Sequence, residues 1–457
     1  MEVHADLHAH SIFAGGAGGV SKDDSKAHTK MTKRFHESST FSPLKGVNLL
    51  GTGDCQFGPW RKFLETELEE IASGIFKYKN NIINPLTKNL ELEEPKYLLQ
   101  TEVIFTGPTP NSKKKKKAHV IIFFPDFTRI KEYNDLLDQF KVSHEKMARP
   151  FIVNDSIEEI ETKVHKILDL DPLIELIPAH IMTPEGVYGS NQRINFLSEF
   201  FGSADTRINA IETGLSADPW ILGLIPELDN RTLISNADAH SAALNRVGRE
   251  FTTLDVNKFD YSNIINSIRK NKVISTTEFH PAEGRYFLTG HRSERKKPGV
   301  HEKNQYCYFS PKHVPKNDLC PICKKELTVG VLQRAYEISS VQMEGRARKL
   351  GEGPKRNYVT MIPLIEIVCK SLGIKTLTSK TAIKAYLSII EEIGPEANLW
   401  TKNIKLDKFN INKKIMENIS KIKAGLFSFS PLGFDGTYGD LVIGKKSDIE
   451  EIRVISN

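Results

Sequence analysis

Asp6-Leu7-His8-Ala9-His10 stands near the start of this 457-residue chain. On an extended strand, side chains two residues apart share a side, so Asp6, His8 and His10 are expected to converge. A His-x-His pair at a strand end is a compact claw for zinc or manganese. Alone it weighs no more than a surface histidine pair. The pattern recurs, however. Leu49-Leu50-Gly51-Thr52-Gly53-Asp54 places an acid just after an apolar run, and Leu98-Leu99-Gln100-Thr101-Glu102 does the same. His119 stands at the entrance to Val120-Ile121-Ile122-Phe123-Phe124, and His180 follows Ile177-Pro178-Ala179. Leu233-Ile234-Ser235-Asn236-Ala237 leads into the Asp-x-His pair of Asp238 and His240.

Each member has an innocent reading: an Asp after a strand caps a helix, and a His beside an apolar run packs into a core. Six elements delivering such groups at strand termini are harder to dismiss, because a barrel gathers strand termini at one end. The eight ligand-type residues His8, His10, Asp54, Glu102, His119, His180, Asp238 and His240 exceed the needs of one ion. Two or three metals sharing a bridging carboxylate is the natural arithmetic. Such a cluster clamps a phosphate and supplies hydroxide near neutral pH, the chemistry of phosphate ester hydrolysis. The mixed imidazole and carboxylate set suits zinc, manganese or iron better than magnesium alone.

Around these motifs, residues 1–272 alternate short apolar runs with longer amphipathic stretches such as residues 60–76 and 157–168. This argues for βα units and an α/β barrel of seven or eight strands. Residues 15–42, rich in Gly, Ser, Lys and His, read as a long loop. Residues 108–117, ending in five lysines, read as an exposed hairpin or loop. Beyond the barrel the composition turns charged and Pro-rich, with three of the five cysteines, Cys307, Cys320 and Cys323. From residue 329 helices dominate, with helical spacing at residues 382–393 and 413–424. The organisation is therefore a barrel over 1–275, a small module over 276–328 and a mainly helical domain over 329–457.

The clustered cysteines, without a basic-then-apolar start, point to metal binding in a reducing cytoplasm rather than to disulfides. Cys320-Pro321-Ile322-Cys323 with Cys307 offers three thiolates, and tetrahedral zinc wants a fourth ligand from His291, His301 or His313. No apolar run reaches the ~18 residues a membrane span needs, so no membrane association is expected. The net charge of +6 permits a polyanionic partner without proving one. Lys115, Lys116 and Lys117, just before His119, are candidate phosphate contacts, as are Arg246 and Arg249 after the Asp-x-His pair; each reads equally well as solvated charge.

The order His8-x-His10, Asp54, Glu102, His119, His180, Asp238-x-His240 resembles the polymerase and histidinol phosphatase (PHP) superfamily. The resemblance implies a distorted seven-stranded barrel with two or three divalent metals, zinc, manganese or magnesium. His8, His10, Glu102 and Asp238 would hold one metal, and Glu102 would bridge to a second with His119. Asp54, His180 and His240 would complete the rest, so that His8, His10, Glu102, Asp238 and His240 form the catalytic set. Family members usually carry a His soon after the second-motif acid, and Asp54-Cys55-Gln56-Phe57 has none; Cys55 reads as a buried thiol.

Glu278-Phe279-His280-Pro281-Ala282-Glu283-Gly284-Arg285, Gly290-His291-Arg292, the CxxC, Glu212-Thr213-Gly214-Leu215-Ser216-Ala217-Asp218 and Gly433-Phe434-Asp435-Gly436-Thr437-Tyr438-Gly439 resemble the endonuclease Q branch of that superfamily. In that branch the Gly-His-Arg histidine lies close to the first zinc cysteine. Here residues 293–306 separate them, and the set favoured is His291, Cys307, Cys320 and Cys323, with His301 close behind. The resemblance implies hydrolysis of DNA on the 5′ side of uracil, hypoxanthine, xanthine or an abasic site, with a sliding clamp as a conceivable protein partner. The competing readings are a small-molecule phosphatase of the histidinol phosphatase kind and a non-catalytic DNA-binding barrel.

Overall fold

A computed structural model describes residues 1–14, 21, 24–80, 87, 90, 92–110, 112–292, 301 and 305–456, with the Lys113 side chain left aside. Parts of the expected loop over 15–42 and of the insertion over 293–306 fall outside these residues.

The fold is mixed α/β around one large sheet. Strand Glu2–Asp6 pairs in parallel with Leu49–Gly51, which pairs in parallel with Lys96–Thr109. The expected run of parallel units is then interrupted. Lys96–Thr109 and Ser112–Phe124 form a long antiparallel hairpin, and Glu175–Pro178 runs antiparallel to the second arm. On the other flank, Phe251–Asp255 pairs antiparallel with the first strand, and Val273–Phe279 pairs antiparallel with Phe251–Asp255. Ala210–Glu212 and Thr232–Ile234 form a separate parallel pair. An isolated bridge between Ala9 and Ala239 brings the segment after that pair to the end of the first strand. Val3, Ala5, Leu49, Leu98, Ile121, Ile177, Ala210 and Ile234, drawn from seven strands, pack into one buried cluster below the site.

The helix of residues 157–168 is found as Ile157–Leu168, capped by Ser156 accepting from the Glu159 amide. Two expectations fail. Much of the loop expected over 15–42 is the helix Ala27–Lys45, which buries Met31, Phe35 and Leu44. Its apolar residues are too sparse to mark a face in the sequence, and Gly46 closes it at φ 94°, a conformation that favours glycine. The helix expected over 60–76 ends at Glu67, and Leu68–Ala72 with Ile75–Tyr78 form a hairpin instead. Gly74 at φ 66° makes that reversal, and a Cβ there would meet Tyr261.

The late helices Lys380–Ile393 and Lys413–Lys423 fall where their spacing places them. The C-terminal part is tied to the sheet: Tyr358–Met361 pairs in parallel with Val273–Phe279. Lys45 Nζ lies 2.7 Å from Glu396, both fully buried, pinning the first helix to the late ones. The cysteine region rests on a three-stranded sheet of Thr289–Arg292, Tyr306–Phe309 and Arg453–Ile455. Among the described residues no helix is long and apolar enough to cross a membrane.

Candidate active site

Strand ends and one long hairpin supply the site: Glu102 and His119, expected at strand termini, lie within Lys96–Thr109 and Ser112–Phe124. The first strand stops at Asp6, so the period of two no longer governs His8 and His10. Asp6 consequently turns away and accepts the Ala237 and Gly248 amides at 2.9 and 3.1 Å. Its expected convergence with the two histidines is not found. Asp54, His180 and Asp238 all take left-handed backbone, at φ 42°, 29° and 45°. Such strain in non-glycine residues persists where surrounding structure enforces it, and it clusters at functional sites. Glu102 and His119 meet because they sit diagonally on the long hairpin, where His119 pairs with Ile104.

Two groups of ligand atoms form. His8, His10 and Asp238 make one, and Glu102, His119 and His180 the other, each with its atoms within 4.8 Å of one another. Glu102 lies between them. Its Oε1 is 2.7 Å from His119 Nδ1, 3.4 Å from His180 Nε2 and 3.7 Å from His8 Nε2. Its Oε2 is 3.5 Å from His10 Nε2. Asp238 Oδ1 lies 3.0 Å from His10 Nε2, 3.4 Å from His240 Nε2 and 3.8 Å from His8 Nε2. His8 Nε2 is buried and has no hydrogen-bond partner, yet faces both carboxylates. An orphaned ring nitrogen opposite two acids is the donor set a divalent cation completes, so the residues fit the metals that the sequence implies.

The outer groups orient the rings. His8 Nδ1 faces Glu212 at 3.0 and 3.1 Å, which turns Nε2 toward the site. Glu212 also accepts from the His180 amide at 2.7 Å and from Asn236 at 2.8 Å. Asp54 faces His10 Nδ1 at 3.3 Å and accepts the Ser11 amide and hydroxyl at 2.7 and 2.6 Å. Asp54 thus holds His10 from behind, in the manner of a carboxylate–histidine–metal triad.

Burial alone would depress the His8 pKa. The carboxylates Glu212, Asp238 and Glu102 outweigh it and raise it to about 10. Likewise burial opposes His10, but Asp238, Asp54 and Glu102 lift it to about 9. Glu102 is buried, yet its histidines hold it well below the usual carboxylate range. Excess negative charge here draws protons in place of cations. His240 is the exception: burial, then His10, lowers it to about 4. Its ring stacks on His10 at 4.3 Å and its side chain is 44% exposed.

The cluster floors an open cleft of about 920 Å³. Lys30, Lys33, Arg34, Arg246 and Arg285 line its walls. Arg149 reaches the floor, with Nη1 3.1 Å from Glu102 Oε2. Arg246 donates to the Tyr438 hydroxyl at 2.8 Å, which brings the turn of residues 433–439 to the rim.

Several expected contacts do not lie where the sequence suggested. Lys116 is fully buried and donates to the carbonyls of Asn191 and Gly189 at 2.6 and 3.3 Å, so it does not reach a DNA backbone. Alternation along a strand turned it inward while its neighbours stayed out. Lys115 pairs with Asp155 at 2.5 Å, and Lys117 lies over the Phe151 ring. Arg249 is buried against Phe279 and donates to the Ala237 carbonyl, holding the loop that carries Asp238. Sequence reasoning missed Glu212, Arg149, Arg34 and Arg285. Glu212 ends the apolar strand Ala210–Glu212 and followed the same signal as Glu102. Arg34 sits on the helix read as a loop, and Arg149 on a loop without a motif.

The second cluster gathers His291, His301, Cys320 and Cys323 within ligand distance. His291 Nδ1 is 3.2 Å from His301 Nε2 and 3.3 Å from Cys323 Sγ, and His301 Nε2 is 3.2 Å from Cys320 Sγ. Cys307 Sγ stands 3.5 Å from Cys320 Sγ, fully buried. His313 instead faces Glu451 at 3.2 Å. Cys55 is buried, and burial pushes its thiol up.

No protein-family model matches the chain. An uncharacterized protein of Methanocaldococcus jannaschii is 29% identical over 239 residues, half of this chain and 28% of that relative's length. The uncharacterized YqxK of Bacillus subtilis is 27% identical over 409 residues, 86% of this chain and 90% of its own. Among solved structures, the lesion-specific endonuclease PfuEndoQ of Pyrococcus furiosus superposes with a TM-score of 0.72 at 24% identity, over 97% of this chain and 96% of that one. Endonuclease Q bound to a 27-mer duplex with an abasic lesion at its active site gives 0.74 at 24% identity, over 99% of both chains. Across nearly its whole length, this chain has the fold of endonuclease Q.

Proposed function

We propose that this protein is a metal-dependent endodeoxyribonuclease that hydrolyses the phosphodiester on the 5′ side of deaminated bases (uracil, hypoxanthine, xanthine) or abasic sites. The observation that carries the reading is the orphaned His8 Nε2 facing Glu102 and Asp238 at the floor of an open, basic-walled cleft. The solved endonuclease Q complex holds lesion-bearing DNA at the active site of the same fold.

His8, His10 and Asp238 would hold one divalent ion and Glu102, His119 and His180 a second, with Glu102 between them. When bound, such ions polarise the phosphate and lower the pKa of a coordinated water. Zinc, manganese and magnesium are all compatible with these donors. The chain's own residues do the rest. Glu212 and Asp54 orient the imidazoles. Arg149 neutralises the outer face of Glu102 and opens onto the cleft. His240, neutral and half-exposed above His10, is placed to hold a proton at a reacting oxygen or to ligate a further ion.

The strands contributing to the inner apolar cluster, from Glu2–Asp6 round to Thr232–Ile234, are read as the seven-stranded barrel, within a domain over 1–275. Residues 276–328 would hold one structural zinc with four of His291, His301, Cys307, Cys320 and Cys323. Residues 329–457 form the helical domain that completes the cleft. Five unpaired thiols suit a reducing cytoplasm.

Labelled duplexes carrying uracil, hypoxanthine, an abasic site or no lesion are incubated with the protein in manganese, magnesium or chelator. Nicking confined to lesion strands and abolished by chelator is the expected result. Turnover of a small phosphomonoester without nicking of any duplex would establish the phosphatase reading instead.

A further inference from the structure

Beside the active cleft lies a second cavity of about 570 Å³, within the range of small-molecule sites, roughly 300–1,000 Å³. The two share Arg246, Arg249 and Tyr438 as a common wall. At its wall stand two carboxylates, Glu283 and Glu366. Glu283 is 4% exposed, and its Oε2 has no hydrogen-bond donor among the described residues. Its neighbour is another acid, and burial together with Glu366 keeps the Glu283 carboxyl well above its usual range. Asn245 Nδ2 approaches Glu366 only at 3.5 Å. A proton shared between the two acids and the long approach of Asn245 leave Glu283 Oε2 as the open acceptor, which an N–H group of a ligand would meet.

A divalent cation is the weaker occupant. The third acid of the cavity, Asp440, is tied to Lys370 at 2.6 Å, and these oxygens do not converge as the barrel ligands do. The remaining walls fit a flat heterocycle: Phe279 and Leu377 are apolar, while Arg246 and Lys375 offer positive charge to a phosphate. A base presenting an amino group would donate to the acids, as cytosine N4 donates to Glu or Asp.

We propose that this cavity receives a second nucleotide of the bound DNA, a base bearing an amino group, displaced from the duplex beside the lesion. The proposal rests on the endonuclease reading above. The base comes from the lesion strand or from its complement, and the test separates the two.

2-Aminopurine, which carries such an amino group and brightens on unstacking, is placed one position at a time along both strands of a lesion duplex. Manganese-loaded protein is mixed in by stopped flow, and nicking of the same duplexes is followed in parallel. A several-fold rise is expected at one position other than the lesion, before the nick. Glu366→Gln, which preserves shape, and Leu377→Trp, which fills the cavity, should each remove that rise and lower kcat/KM roughly tenfold. Replacing the 2-aminopurine by unsubstituted purine should cost wild type the same factor and cost Glu366→Gln nothing. Nicking without a rise at any non-lesion position overturns the proposal. So does a rise that both variants retain. Absence of both nicking and binding would instead bring down the endonuclease reading from which the proposal starts.

Discussion

The protein carries two polar clusters built for opposite ends. The cluster around Glu102 combines imidazoles with hard carboxylates, keeps His8 Nε2 without a partner among the described residues, and opens through Asp238 and His240 to a cleft. The cysteine cluster uses thiolates and imidazoles in a short segment whose apolar core is only Cys307, Phe309, Cys320 and Leu327 with a few partly buried neighbours. A cation in the first would face substrate. A cation in the second would be enclosed by its ligands and would substitute for missing core. Open coordination with carboxylates marks chemistry, and closed coordination with sulfur marks folding.

Exchanging the effects of the two clusters would break that distinction. Asp238→Ala removes a ligand-type group from the open cluster. It is expected to abolish several kcal/mol of transition-state stabilisation, roughly a thousandfold in nicking rate, with the melting temperature little changed. Rates and thermal melts on one preparation decide it; full nicking would sink the metal-cluster mechanism. Cys320→Ser should do the reverse. It is expected to cost about 3 kcal/mol of stability, or roughly 6–12 °C in Tm, while protein that remains folded keeps its nicking rate. A Cys320→Ser protein that melts normally and fails to nick would show the sulfur cluster to be catalytic.

The sequence made the open cluster legible because its ligand-type residues flank short apolar runs, a signal local to a few residues, although Glu102 and His119 lie within long strands rather than at their ends. All eight ligand-type residues stand in or beside the cluster, although Asp54 serves His10 from behind. Groups that reach the site from elsewhere left no such mark. Arg149 lies on a loop, and Arg34 on a helix too polar to show an apolar face. Lys116 failed for a different reason: five consecutive lysines look uniformly exposed until strand alternation turns one inward. The hairpin or loop read over 108–117 meets the tip of the long hairpin, but the antiparallel run of its arms was hidden, since a run buried on both faces reads the same in either orientation.

The same contrast extends one layer out from the imidazoles. Glu212 touches no cleft, yet it orients His8 and accepts from His180 and Asn236. Glu212→Gln keeps the volume and removes the charge. It is expected to lower metal affinity or activity 10- to 100-fold, the usual cost of losing such a support. Metal titration by calorimetry alongside nicking rates checks it; wild-type affinity and rate together would make Glu212 a packing residue only.

A smaller effect lies deeper, where the surroundings of the Glu102 cluster touch stability rather than chemistry. Glu278 is fully buried, with Oε2 accepting from Ser235 at 3.0 Å and Thr213 at 3.1 Å. Burial first, with Asp218 adding to it, raises its pKa to about 8 from an ordinary 4.5, and Glu250, buried beside it and pushed up by it, titrates with it. Between those values the folded protein keeps a proton that the unfolded chain has released, so stability falls as pH rises through that window. Below about pH 4.5 both states hold the proton and the cost vanishes. Glu278→Gln replaces the neutral acid with a group that never ionises. Its melting temperature should approach wild type near pH 5 and exceed it increasingly toward pH 8, by about 1 kcal/mol or more, which is roughly 2–4 °C. A Tm difference that is flat with pH would mean that Glu278 is ionised in the folded protein, with the proton of the buried pair on Glu250 or a cation close enough to offset its burial.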